Sequence, residues 1–284
     1  MLKEKTFSSG SVDINYAEGP NNGPPLLLLH GITQRWQAFL QILPALTQNH
    51  HVFAPDFRGH GRSGRVKSAY RGEDFGNDTL AFIDKVIGEP TIVFGHSLGG
   101  MVSLHLSATY PDRIRAQVLG DNMIFGSDLN GTVFPSMFAQ VRELLRDGAS
   151  YECLRRKLPD VILESPVFGK MPFKSLPGCD DPYLSAWARS LSMLDPEVLD
   201  MTLDGRAFEG WDPATLVKGI RCPTLLMQAD PKMGGVMSDD DIARVREACP
   251  GVQVTRLTGI GHSLHMYDAA PVVRPLTNFL VAIE

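Results

Sequence analysis

Ser97 is the residue around which this chain can do chemistry. It stands in Gly95-His96-Ser97-Leu98-Gly99, with the spacing Gly-x-Ser-x-Gly. Residues 91–94 are apolar and β-branched, which predicts a buried strand, and residues 100–108 carry the period of a buried helix. A serine on a tight turn between strand and helix has its hydroxyl lifted clear of the sheet. Small residues on both sides avoid collisions, and the helix N-terminus favours negative charge developing beside it. The plainer alternative, a bystander serine in a glycine-rich turn, does not account for the strand and helix on either side.

A serine hydroxyl is a weak nucleophile and needs a neighbouring base. His262, in Gly259-Ile260-Gly261-His262-Ser263, follows the last predicted strand and precedes the last predicted helix, which brings it to the sheet edge that carries Ser97. The base in turn needs a carboxylate to hold its tautomer. Asp230, directly after the strand at 224–228, gives the chain order Ser, Asp, His. Asp121, after the strand at 114–119, is its competitor; Asp230 is preferred because its loop faces the loop of His262. The structural alternative for Asp230 is a turn aspartate before Pro231. Asp239-Asp240-Asp241 after Ser238 reads as a capped helix start. Acyl transfer also needs donors for an oxyanion. The amide of Leu98 is one, and the amide of Ile32, after His30-Gly31, is expected to be the other. His30 itself is expected to bond within its loop. His265 is expected to line the pocket or to pack. With His262 it offers only two ligands, so no metal site is predicted.

The elements that must position these groups alternate. Two antiparallel strands are expected at 3–7 and 12–17, a fully apolar strand at 26–29, and further strands at 52–54 and 114–119. A helix is predicted over 36–46, another around Leu80, Ile83, Val86 and Ile87, and a final one near 271–282. From about 123 to 215 strand-like runs give way to helical pieces, two of which begin at Asp195-Pro196 and Asp212-Pro213. Residues 1–122 and 216–284 therefore form an α/β core, interrupted by a helical cap at 123–215. The cap is rich in large apolar residues: Phe125, Phe134, Met137, Phe138, Trp187 and Met193. Of these, Phe125, Phe138 and Trp187 are expected, with His265, to line an apolar substrate pocket.

Composition bounds the partners. A chain of 284 residues with 43 % hydrophobic residues can bury a sizeable core, and a net charge of −5 without a basic run argues against nucleic acid and anionic membrane. The apolar run at 26–29 is far too short to span a bilayer, and the first residues lack the apolar stretch of a signal peptide. Cys153, Cys179, Cys222 and Cys249 are scattered, which suits reduced thiols in a cytoplasmic protein. Gly59-His60-Gly61-Arg62-Ser63-Gly64 formally matches a dinucleotide fingerprint, but no apolar helix opens behind it, and it reads as a structural turn.

His30-Gly31, Asp56-x-Arg58-Gly59-His60-Gly61-x-Ser63, Gly95-His96-Ser97-Leu98-Gly99-Gly100 and Gly261-His262 together resemble the α/β-hydrolase superfamily, in particular its lid-bearing serine esterase and lactonase-like members. The resemblance spans nearly the whole core. It implies an eight-stranded, mostly parallel sheet flanked by helices, a helical cap, no cofactor, and hydrolysis of a small-molecule carboxylic ester or lactone through an acyl-enzyme. Carbon–carbon bond hydrolases and ligand receptors of the same fold are the alternatives, and an acyltransferase would need an acceptor other than water. A serine at the elbow disfavours the aspartate-nucleophile dehalogenases and epoxide hydrolases. One departure from the pattern is that Asp230 follows Ala229 directly, where the family often has an extra residue or two.

Overall fold

The computed structural model describes residues 2–126, 131–165, 169–176, 178–266 and 269–283. Its centre is an eight-stranded sheet. The strands are β1 (Lys3–Ser8), β2 (Asp13–Glu18), β3 (Pro25–Leu29), β4 (His51–Pro55), β5 (Thr91–His96), β6 (Ile114–Gly120), β9 (Thr224–Ala229) and β10 (Gln253–Leu257), and their spatial order is β1-β2-β4-β3-β5-β6-β9-β10. β1 and β2 pair antiparallel, as do β2 and β4; all other pairs are parallel. Every residue of β3, β5 and β9 is buried. The period-2 pleat explains this. Leu27, Leu29 and Val93 pack on one face with Val102 and Leu106, whereas Leu26, Leu28, Ile92 and Phe94 pack on the other with Leu276 and Phe279.

The helices are α1 (Leu43–Leu46), α2 (Gly72–Phe82), α3 (Leu98–Thr109), α4 (Phe134–Arg146), α5 (Tyr151–Lys157), α6 (Asp181–Leu191), α7 (Glu197–Leu203), α8 (Pro213–Gly219), α9 (Asp239–Ala248) and α10 (Ala270–Ala282). The helix expected over 36–46 is broken. A 3₁₀ turn covers Trp36–Phe39 and α1 is a single turn, because Pro44 has no N–H and its ring collides with a helical carbonyl four residues back. The capped starts follow the sequence. Asp212 accepts from the amides of Ala214 and Thr215, and Ser238 and Asp241 form a capping box.

Between β6 and β9 the described chain adds no strand to the main sheet. It carries α4 to α8, and also a two-stranded antiparallel ribbon, β7 (Ile162–Ser165) with β8 (Gly169–Pro172). The purely helical expectation for this insert is therefore corrected. The ribbon is tied to α4 by Gln140, which accepts from the Ile162 amide and donates to the Ile162 carbonyl. Phe138, Trp187, Leu191 and Leu199 of the insert join the core on the face that holds Leu98.

The topology fixes where a site can form. From β3 the chain steps to β4 on one side, then crosses to β5 on the other, so β3 and β5 flank the point where the winding reverses. Open α/β sheets bind ligands there, beyond the carboxyl ends of the strands. The register places Leu29 opposite Gly95, His96 opposite Gly120, and Gly120 opposite Met227. Ile32, Ser97 and Asp121 consequently emerge at one edge.

Candidate active site

Ser97 has φ 52° and ψ −114°, a left-handed conformation that a side-chain-bearing residue adopts only under strain. Its amide donates to the Gly120 carbonyl at 3.0 Å, and α3 begins at the next residue. The flanking glycines are required by space. A Cβ on Gly95 would lie 2.2 Å from the Gly99 carbonyl oxygen, and one on Gly99 would lie 2.2 Å from the carbonyl oxygen of Leu29. Both contacts are to backbone, so no side-chain movement relieves them.

The histidine ring expected to serve Ser97 is oriented by an aspartate, and that aspartate is Asp121. Nδ1 of His262 donates to Oδ2 of Asp121 at 2.7 Å. A carboxylate only accepts, so Nδ1 carries the proton and Nε2 is left as the basic nitrogen. Asp121 is fully buried and accepts three further bonds, from the amides of Ala229, Val236 and Met237. The expectation that Asp230 holds the ring is corrected. Its Oδ1 accepts from the Lys232 amide and its Oδ2 from the Gly259 amide, both at 2.9 Å. These two amides also hold its carboxyl below the usual carboxylate range. The short Ala229-Asp230 turn is the physical reason: it leaves Asp230 capping the 3₁₀ turn Pro231–Met233, away from the imidazole. Asp230 still serves the base indirectly, since its amide donates to Ile260 within the loop that carries His262.

The loop after β3 is held from three sides. Nδ1 of His30 donates to the Gly31 carbonyl, and its Nε2 accepts from the Phe57 amide. Burial pushes its pKa down to about 4, so the ring stays neutral, as this pairing needs. Gln34 accepts from the Gly31 amide. From the insert, Nε1 of Trp187 donates to Oγ1 of Thr33 at 3.1 Å, and Thr33 itself sits at φ 69°. The amides of Ile32 and Leu98 donate to no acceptor among the described residues, and both residues line the cavity that holds Ser97.

Two chambers meet at Ser97. The larger is about 210 Å³ and the smaller about 70 Å³. Ser97, Ile32, Phe134 and Phe138 line both, whereas His262 and Trp187 line only the smaller. Two expected lining residues lie elsewhere. The Phe125 ring is covered by the Arg244 guanidinium at 3.6 Å, and it lines neither chamber. His265 is fully buried, stacked on Phe39 at 4.6 Å, with His96 and Phe94 edge-on. Core packing is what a ring three residues past His262 achieves once the chain turns inward. Phe134, by contrast, meets the His262 ring edge-on at 5.0 Å. Thr33, Tyr183 and Ser263 were not singled out by sequence; no spacing marks a hydroxyl that reaches a site from a distant loop.

Fold, elbow and histidine–aspartate pair together define an α/β hydrolase, and residues 26–274 match the profile of the Alpha/beta hydrolase family. The chain belongs to that family. It is 33 % identical over 112 residues to 2-(acetamidomethylene)succinate hydrolase of Mesorhizobium japonicum, a match covering 39 % of this chain and 40 % of that protein. It is also 26 % identical over 270 residues to the dihydrolipoyllysine-residue acetyltransferase component of the acetoin cleaving system of Pseudomonas putida, covering 92 % of this chain and 65 % of that one. The first match thus spans about two fifths of its relative's length. Among solved structures, E-2-(acetamidomethylene)succinate hydrolase superposes with TM-score 0.76 at 19 % identity over 99 % of this chain and 100 % of that one. The enol-lactonase of Burkholderia xenovorans LB400 gives 0.73 at 19 % over 98 % and 100 %. Likeness at this identity shows the shared fold. Among the described residues no helix is long and apolar enough to cross a membrane.

Proposed function

We propose that this α/β hydrolase cleaves a small apolar carboxylic ester or lactone through an acyl-enzyme. Ser97 is the nucleophile, His262 the base and Asp121 the acid that orients it. The observation that carries the reading is the 2.7 Å bond from Nδ1 of His262 to Asp121, which leaves Nε2 basic in a cavity shared with Ser97. In the first step the Ser97 hydroxyl gives its proton to Nε2 while Oγ bonds to the carbonyl carbon. The amides of Ile32 and Leu98 receive the oxyanion. The C–O bond to the alcohol then breaks, and Nε2 returns the proton to the departing oxygen. Water, deprotonated by the same nitrogen, releases the acid and restores Ser97. We further propose that residues 123–215 act as a cap over a core of 1–122 and 216–284, and that the scattered cysteines fit a cytoplasmic setting.

The test is Ser97→Ala. It abolishes turnover of p-nitrophenyl butyrate and labelling by a fluorophosphonate, while circular dichroism and melting stay close to wild type. Residual turnover near wild type overturns the reading. A labelled wild-type protein that turns over no ester or lactone favours a carbon–carbon substrate or a receptor role instead.

A further inference from the structure

We propose that the two chambers divide the substrate at its scissile bond: the larger takes an uncharged, apolar acyl group and the smaller takes a short leaving alcohol. This rests on the acyl-enzyme reading above. The direction follows from where the proton must go. As Oγ of Ser97 bonds to the carbonyl carbon, the breaking C–O bond leaves its electron pair on the alkoxy oxygen, and Nε2 of His262 supplies the proton. The alkoxy oxygen must therefore lie on the His262 side. His262 lines the smaller chamber alone, so the acyl chain is directed into the larger.

The walls differ in the same sense. Phe75, Met101, Met123, Leu203, Phe208 and Val236 give the larger chamber an apolar surface. Its polar side chains, besides Ser97, are Thr202 and Tyr70, and the Tyr70 hydroxyl donates to Asp195 at 2.7 Å. No lysine or arginine lines either chamber among the described residues, and the residues outside the description contain none. A carboxylate at the far end of an acyl chain would be stripped of water there without a counter-charge. The smaller chamber is also walled by apolar side chains such as Met137, Phe173 and Leu176, but adds Thr33, Gln34, Tyr183 and Ser263, with the Tyr183 and Ser263 hydroxyls 3.3 Å apart. These groups suit a short alcohol that carries its own hydrogen-bonding atom.

Isomeric esters separate the two orientations. For the full-length protein kcat/KM on ethyl hexanoate should exceed that on hexyl acetate at least about tenfold, and that on monoethyl adipate by about 100-fold. Thr202→Lys, which places a cation in the larger chamber, should raise the adipate-to-hexanoate ratio about tenfold. Met123→Trp, which fills the larger chamber, should lower kcat/KM on ethyl hexanoate more than on ethyl acetate, so that the hexanoate-to-acetate ratio falls about tenfold. Hexyl acetate turned over as fast as ethyl hexanoate, or the adipate monoester within a few-fold of it, overturns the division while the acyl-enzyme stands. Failure on every ester together with no labelling at Ser97 overturns the acyl-enzyme reading and the division with it.

Discussion

Asp121 presents its two oxygens to four donors: the amide of Ala229 at the end of β9, the amides of Val236 and Met237 in the loop before α9, and the His262 ring. Asn at this position cannot satisfy that set, because one oxygen becomes an NH₂ that gives and does not accept. Facing His262, it drives the ring to the tautomer with Nε2 protonated, and the base is lost. Asp121→Asn should therefore lower kcat by about 10⁴ with the protein still folded. Among the described residues Asp230 accepts only from the amides of Lys232 and Gly259, at a partly exposed turn. Asp230→Asn keeps one of those bonds and should stay within about tenfold of wild type, in line with the loss of one modest hydrogen bond. Measuring kcat for both variants on one short ester checks this. Equal losses in the two would show that the loop anchored by Asp230 matters as much as the carboxylate behind the ring.

At the scale of elements, α6 of the insert reaches the loop after β3, proposed to bind the oxyanion, through the Trp187–Thr33 bond. Both side chains are buried, and Thr33 is a β-branched residue at φ 69°. Such a backbone persists only when its surroundings hold it. Trp187→Phe keeps the ring that stacks on Phe173 at 4.8 Å and removes the donor. It should lower kcat about tenfold on short esters, leave KM within about twofold, and cost on the order of 1 kcal/mol of stability. Thr33→Val should do the same, and the double variant should lose no more than either single one, as expected for partners in one bond. Losses that multiply would disconnect the insert from the loop. The same elements show what the sequence can and cannot reveal. The elbow is legible because strand, glycines and helix lie within some twenty residues and each has a local physical reason. The competition between Asp121 and Asp230 is not local: it turns on how β6 and β9 are aligned and on a turn one or two residues shorter than the usual pattern. The β7–β8 ribbon is not legible because two four-residue strands, steadied by the Gln140 side chain on α4, leave no periodicity to read.

Over the whole molecule, burial of imidazoles links stability to pH. His30, His60, His96 and His265 are buried among the sheet-edge loops and the core, with His30 and His60 rings 5.0 Å apart and His96 and His265 rings 4.6 Å apart. Burial lowers His60 and His265 to about 3 and His30 to about 4, and holds His96 well below its ordinary 6.5. In the unfolded chain each ring binds a proton as pH falls below about 6.5, whereas in the folded chain it stays neutral down to its depressed value. The unfolded state thus gains protons first. The stability these rings contribute is complete above pH 6.5 and declines as pH drops through 6 and 5; for His30, His60 and His265 the decline stops below pH 3 to 4. His265 isolates one share of that slope. Neither of its ring nitrogens has a partner among the described residues, and its neighbours Phe39 and Phe94 are apolar. His265→Phe removes an orphaned donor and a titrating group at once, and His265→Leu does so with less bulk. Urea unfolding at intervals from pH 7.5 to 4 should give a shallower decline for both variants, by up to about 1.4 kcal/mol per pH unit below 6.5, with stability at pH 7.5 equal to or above wild type for at least one of them. Variant and wild-type curves that run parallel across this window would mean that His265 takes no part in the acid sensitivity of the fold.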